Sequence, residues 1–351
     1  MSQKTVFISG VTGFVGGTVL AALIPALREA GIDAVYRILV RNHAKEEKVK
    51  IWAKKIGMES SIECVLGGLS DEQVVVEEVS KADYIIDTAD ADNLDAAKNF
   101  VKGIEKAVES GRHPIFIHTS GTNIIADGAD GMHSTDEIIH DANQAEIDAV
   151  PETNLHRDVD TLLRNFHNKN ADKFDLAIMI PPCIWGFGRG PDNCFSIQIP
   201  HLIYLALKER QAYNVGDGKN VWTQIHVVDL AKFYAQLLVK MIQEPGKHTG
   251  FFLCENGEFE WREVGDQIQA GLKEAGFAVT SDKAKNTSKN DESIKVFEKV
   301  DFPYLPIIGG NSRVRSSRAQ NEIGWTPKYS SKQQFLDDIP LLVYYLNHHS
   351  D

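Results

Sequence analysis

The sequence predicts an α/β protein built on a doubly wound parallel sheet, with helices on both faces and a smaller mixed lobe after it. Three observations lead there. Short apolar runs alternate with helical patterns through the first half of the chain. The runs are continuously apolar, as strands covered on both faces are. Three glycines, Gly10, Gly13 and Gly16, fall between the first apolar run and the first helical pattern, where such a sheet turns from strand into helix.

The elements follow in order. KTVFISG reads as a strand and TVLAALIPALREAG as an amphipathic helix ending at Gly31. AVYRILVRN is a second strand and AKEEKVKIWAKKIG a second helix. SIECVLGGL, DYIIDTA and PIFIHTSG are further strands, with helices in DEQVVVEEVSK and LDAAKNFVKGIEKAVESG between them. Right-handed crossovers then place helices on both faces. Residues 123–152 break the pattern, being polar and rich in aspartate, and a loop of that length reads as a lid or binding loop. Its Asp127, Asp130, Asp136 and Asp141 match no calcium-loop spacing and read as solvated charge. LHRDVDTLLRNF resumes as helix, and FDLAIMIPP is a strand running into the glycine-rich, aromatic CIWGFGRGPDNCF. IPHLIYLALKERQ is a helix, and residues 284–296 read as an exposed loop. The expected division is a nucleotide-binding domain over residues 1–180, with a contribution from 221–245, and a substrate lobe over 181–220 and 246–351.

Bulk properties narrow the function classes. A hydrophobic content of 43% and a charged content of 25% suit a soluble globular chain. The net charge of −12, without a dense basic run, disfavours nucleic acid as a partner. No apolar run reaches the ~18–20 residues of a membrane span. Cys64, Cys183, Cys194 and Cys254 show neither CxxC nor zinc-ligand spacing, and no secretion signal is recognised. The expectation is a cytoplasmic protein with a small-molecule substrate and no metal.

The glycine spacing has a physical demand behind it. Gly10 lets the chain turn sharply, Gly13 lets backbone approach a diphosphate, and Gly16 lets the helix pack closely on the strand. The helix N-terminus offers free N–H groups to the phosphates. Gly10, Thr12, Gly13, Phe14, Val15 and Gly16 therefore form the expected cradle. At the end of the second strand an acidic residue would bond the ribose 2′-hydroxyl. This chain has LVRNHAK there, with Arg41, Asn42 and Lys45. A guanidinium suits a 2′-phosphate, which predicts NADP(H) in preference to NAD(H).

In order along the chain, these segments resemble the extended and atypical short-chain dehydrogenase/reductase superfamily. SGVTGFVGG resembles its TGxxGF(I/V)G loop, and GGLSD at 67–71 its GDLSD adenine loop, with Gly68 where Asp is usual. DTA at 87–89 resembles the loop after the fourth strand. HTSGT at 118–122 resembles the segment carrying the active-site serine, here Ser120. PPCIWGFG at 181–188 resembles RPxxxYGxG beside the nicotinamide. IHVVDLA at 225–231 and EIGWTPKY at 322–329 are similar to the HVxDxA and LGWxPxY markers. HTSGT with HRDVD is most similar to fungal NAD(P)-binding proteins near the NmrA-like and epimerase/dehydratase groups. The resemblance implies a Rossmann fold and adds Leu69, Thr88, Ala89, Pro182 and Ile184 to the coenzyme contacts. It implies an NAD(P)-dependent oxidoreductase or epimerase/dehydratase acting on a small carbonyl or hydroxyl compound, or else a catalytically inactive redox sensor. It also implies a homodimer through the helices at 94–109 and 155–166.

The superfamily's proton relay, Tyr-x-x-x-Lys, is missing. No tyrosine lies between Tyr84 and Tyr204. Sliding the pattern onto NLHRDVD puts Thr153 at the Tyr position and Arg157 at the Lys position. A threonine hydroxyl is too weak an acid to replace a phenol. Arg157 can hold ribose hydroxyls but trades no protons. His156 is next door, and histidine is the side chain that ordinarily titrates near neutrality. The apolar stripe Leu155, Val159, Leu162, Leu163 and Phe166 puts His156 at its edge and Arg157 almost opposite. Each has a structural alternative: a bond from His156 to Asp160, and an ion pair from Arg157 to Asp158 or Asp160. Strand alternation puts His118 and Ser120 on one face, Ile117 and Thr119 on the other. Ser120 is the expected oxyanion donor, His156 the proton exchanger, and Thr119 and Thr122 the reserves. Trp185 and Phe187 are expected to wall the nicotinamide or substrate, or to pack within their loop. His226 is expected to be structural.

Overall fold

A computed structural model describes residues 3–299 and 304–349. The nucleotide-binding half runs β1 (Lys4–Ser9), α1 (Phe14–Glu29), β2 (Ala34–Val40), α2 (His43–Lys55), β3 (Ile62–Leu66), α3 (Glu72–Lys81), β4 (Tyr84–Asp87), α4 (Leu94–Glu109) and β5 (Ile115–Thr119). The chain continues through β6 (Ile139–His140), α5 (Gln144–Asp148), α6 (Arg157–Lys169), β7 (Asp175–Ile180), β8 (Cys183–Trp185), α7 (Gln198–Glu209) and β9 (Tyr213–Asn214). Then come β10 (Val221–His226), α8 (Val227–Gln243), β11 (Gly250–Leu253), β12 (Glu258–Glu260), α9 (Trp261–Glu274), β13 (Lys285–Asn286), β14 (Val314–Arg315), α10 (Arg318–Asn321) and α11 (Lys332–His349).

Seven strands form one parallel sheet in the order β11-β7-β5-β4-β1-β2-β3. The order reverses between β1 and β4, which opens a crevice at their carboxyl ends. One face carries α1 and α8, burying Leu20, Leu23, Leu27, Leu230, Phe233 and Tyr234 against Ile8, Ile38 and Ile117. The other carries α3, α4 and α6, burying Phe100, Ile104 and Leu163 against Phe7, Phe116 and Ile178. The second lobe packs α7, α9 and α11 beside the three-stranded sheet β12-β10-β8, with Trp185, Trp222, Phe259, Trp261 and Phe335 in its core.

Four expectations change. Residues 250–253, expected in the substrate lobe, form an edge strand of the central sheet, because β11 completes the pairing of β7. Residues 123–152 are more than a loop: a 3₁₀ turn (Thr122–Ile125), β6 and α5 lie at or within them. Two of their aspartates are staples, not solvated charge. Asp141 is fully buried and accepts from the backbone N–H groups of Leu253, Ser317 and Arg318 and from Ser317 Oγ. Asp127 accepts from the Asn311 backbone and side chain. Finally, the stretch expected as an exposed loop at 284–296 contains β13 and a 3₁₀ helix, Glu292–Lys299, that buries Phe297. The described helix α6 begins at Arg157, after a left-handed His156. The outward face of α4 carries Lys98, Lys102, Glu105 and Glu109, so a dimer through it would be polar.

Candidate functional site

At the end of β1 the chain turns through Gly10, whose φ is +77°. Any Cβ there would also press within 2.7 Å of the Thr88 backbone. Gly13 N donates to Gly10 O at 2.8 Å and closes the turn. Gly13 then starts α1 with no side-chain cap. A Cβ on Gly13 would meet nothing nearer than the Gly10 carbonyl at 3.1 Å, so the loop is open on that side. Gly16 is the opposite case, with a Cβ falling 2.3 Å from Thr88 Oγ1 and 2.4 Å from Gly10 O. The helix is thus drawn onto the strand end with its first-turn N–H groups uncapped, and this cradle fits a diphosphate. Phe14 is buried and Val15 packs on the core, so each offers backbone rather than side chain.

The adenosine end follows from β2 and the start of α2. Arg41 is exposed and forms no ion pair among the described residues. Asn42 caps α2, its side chain accepting from Lys45 N at 3.0 Å. Leu69 is half-buried, and its carbonyl accepts from the Asn99 amide at 3.3 Å. Thr88 Oγ1 donates to Ser9 O at 2.8 Å, and Ala89 is exposed beside it. Pro182 is buried and Ile184 half-buried on β8, which carries the chain from β7 into the second lobe.

At the carboxyl ends of β4 and β5 lies a buried polar group. Asp87 accepts from His118 Nδ1 at 2.9 Å and from Ser9 Oγ. Thr119 Oγ1 bonds the Asp87 carbonyl at 2.7 Å and meets Tyr234 OH at 2.8 Å. Tyr234 is fully buried in the α8 core, and burial raises its pKa well above the usual phenol value, so it stays a neutral packing group. On the other face, Ser120 Oγ donates to Asp160 Oδ2 at 2.8 Å. Asp160 has no exposure, and desolvation raises its pKa against the pull of His118, Ser120 and Arg157.

His156 stands over this strand end. Its φ of +69° is left-handed, a conformation that costs a non-glycine residue ~1–2 kcal/mol. Asp92 accepts from both its backbone N, at 3.0 Å, and its Nδ1, at 2.7 Å. The bond to His156 holds Asp92 below the usual carboxylate range. An ionised carboxylate only accepts, so Nδ1 carries the hydrogen and Nε2 is the atom left to exchange one. A Cβ on Gly121 would come 3.0 Å from Nε2, which places that atom next to the Ser120–Gly121 peptide.

Arg157, expected to hold the coenzyme, is turned inward behind Asp160, the ion-pair alternative for it. Its guanidinium is buried and donates to the carbonyls of Val150 and Asp148, both at 3.3 Å, with Asp160 at 3.9 Å. It ties α6 to the segment around α5. His156 and Asp160 instead stand four residues apart, the interval of Tyr-x-x-x-Lys, three positions on from where the pattern had been laid. That interval was visible in HRDVD. Asp92 had no local signal, being 64 residues from its partner.

The aromatic candidates pack. Trp185 is buried and its indole N–H bonds the Gln224 side chain. Phe187 is partly exposed and meets Phe195 and Tyr345, with ring centroids at 5.4 and 5.7 Å. His226 accepts from Val228 N and stacks on Tyr329 at 3.8 Å; burial lowers its pKa to about 4, so it is neutral and structural. Among the described residues no cluster of His, Cys, Asp or Glu could hold a metal, and no helix is long and apolar enough to cross a membrane. A cavity of about 450 Å³ lined by Glu255, Glu258, Arg315, Gln320 and Trp325 opens just past the carboxyl end of β11, within the 246–351 stretch expected to belong to the substrate lobe.

The family described as NAD dependent epimerase/dehydratase matches residues 6–249. The oxidase UcsJ of Acremonium is 27% identical over 346 residues, covering 92% of this chain and 93% of that one. A Schizosaccharomyces pombe protein is 23% identical, covering 93% and 96%. Among solved structures, a dTDP-glucose 4,6-dehydratase from Streptomyces venezuelae with NAD bound superposes with a TM-score of 0.66 at 16% identity, covering 98% of this chain and 97% of that one. The UDP-glucose 4-epimerase of Thermotoga maritima gives 0.60 at 15% identity, covering 99% and 100%. At those identities the structures speak for the fold.

Proposed function

This chain belongs to the NAD-dependent epimerase/dehydratase family and is an NAD(P)-dependent enzyme of the extended short-chain dehydrogenase/reductase type, and on that premise we propose that it is an NADP(H)-dependent oxidoreductase acting on a small carbonyl or hydroxyl compound through a histidine relay. The carrying observation is the Asp92–His156 pair set beside Ser120 at the carboxyl end of β5. The glycine cradle and the α1 N-terminus would hold the diphosphate, and unpaired Arg41 would take a 2′-phosphate. When bound, the nicotinamide supplies hydride chemistry.

The chain's own residues supply the rest. Asp160 accepts from Ser120 Oγ at 2.8 Å and fixes the hydroxyl at the strand end, where turning its hydrogen to the substrate oxygen would make it the oxyanion donor. His156 Nε2 gives or takes the substrate proton, and the Asp92 carboxylate stabilises the imidazolium that forms when Nε2 takes one. The left-handed backbone and the two hydrogen bonds to Asp92 hold the ring in place. The same reading keeps the protein in the cytoplasm, with its four thiols unpaired, and pairs two copies through α4 and α6.

The test is direct. NADPH fluorescence reports binding, and a panel of carbonyl compounds reports consumption. His156→Ala and Ser120→Ala should each lower turnover on a substrate found this way by ~10²-fold while coenzyme affinity holds. Full activity in both variants discards the relay. The missing tyrosine favours a second reading, a coenzyme-binding sensor without turnover; binding with no consumption on any substrate would support it.

A further inference from the structure

The glycine-rich loop after β8 returns across the nucleotide-binding half as a strap. A Cβ on Gly17 would sit 2.5 Å from Gly190 Cα, so the strap touches α1 backbone to backbone. Arg189 N donates to Thr18 Oγ1 at 2.9 Å, Trp52 Nε1 to Arg189 O at 3.2 Å, and Asn193 N to Thr12 O at 3.2 Å. Its other side rests on the second lobe, where Phe187 and Phe195 pack against Tyr345. The one carboxylate on the strap, Asp192, is largely buried and bonds both Lys45 and Lys48 of α2. Those lysines follow Arg41 and Asn42, at the end of β2 where a dinucleotide's adenosine ribose is read.

We propose that Asp192 is a coenzyme-discriminating residue: its carboxylate occupies Lys45 and Lys48 in the place a 2′-phosphate would take, so NADP(H) must displace it whereas NAD(H) binds with the strap latched. The proposal rests on the reading that the adenosine end lies at Arg41. Two anions cannot share these cations without mutual repulsion. A ligand lacking the 2′-phosphate makes no such demand.

The experiment titrates NADPH and NADH by fluorescence into the wild type, Asp192→Asn, Lys48→Ala and Arg41→Ala. Amide hydrogen exchange of residues 187–194 is followed without coenzyme. Asp192→Asn should tighten NADPH about tenfold, ~1.4 kcal/mol, change NADH less than about twofold, and speed exchange at Arg189 and Asn193. Lys48→Ala loosens the strap but removes a phosphate partner, so NADPH should weaken. Equal changes for both coenzymes in Asp192→Asn, or NADPH tightening in Lys48→Ala as well, would make Asp192 a mere fastener and overturn the proposal. Arg41→Ala separates the two claims: unchanged NADPH affinity there removes Arg41 from the reading, while selective tightening in Asp192→Asn still upholds the discriminating role.

Discussion

Replacing Asp338 with asparagine should stabilise the protein, and only above a defined pH. Asp338 lies on α11 in a wall shared with Trp185, Phe195, Ile199 and Phe335, and its carboxyl accepts from the Gly186 backbone at the root of the strap. That single bond does not offset desolvation, so its pKa rises from 3.8 to about 6. The folded state therefore holds this proton more tightly than the unfolded chain. Stability from this group is complete below pH 4 and declines as pH rises to about 6. A gap of about 2 units, at 1.36 kcal/mol each, sets a ceiling of ~3 kcal/mol. Asparagine keeps the acceptor and has no charge to bury. Urea unfolding of both proteins at several values from about pH 4 to 8 gives the difference curve, which cancels every other titrating group. The variant should match the wild type at the acid end and exceed it by about 1–3 kcal/mol at the basic end. A difference that is flat across the range, or an Asp338→Asn protein less stable at the basic end, would show that the carboxyl is ionised at no cost, and the reasoning would fail.

Two further outcomes bear on the coenzyme site. Gly10→Ala meets both a left-handed φ and the Thr88 backbone at 2.7 Å; it should lose ~2–4 kcal/mol of stability and most coenzyme affinity, read by denaturation and NADPH titration. Arg41→Ala should weaken NADPH by ~10–100-fold and NADH less than twofold, the scale of a charge-assisted hydrogen bond.

Local rules explain what was legible in the chain. Continuous apolar runs and the helical period needed no distant partner, so the strand–helix order through β5 could be read from them. The glycine turn was legible because backbone sterics act within a few residues: only glycine suits φ +77° against Thr88. Strand alternation likewise separated Ser120, which meets Asp160, from Thr119, which meets Tyr234.

Contacts made across the fold were hidden. Arg157 carried the right charge for a ribose contact, yet packing turned it under α6 toward Val150 and Asp148. Asp141 looked like solvated charge until β11 and α10 closed around it. His156 finds Asp92 across 64 residues, and Lys45 finds Asp192 across 147. Periodicity assigns a side chain to a face of its own element; the partner waiting there depends on how that element docks, which is settled by burial summed over the whole core.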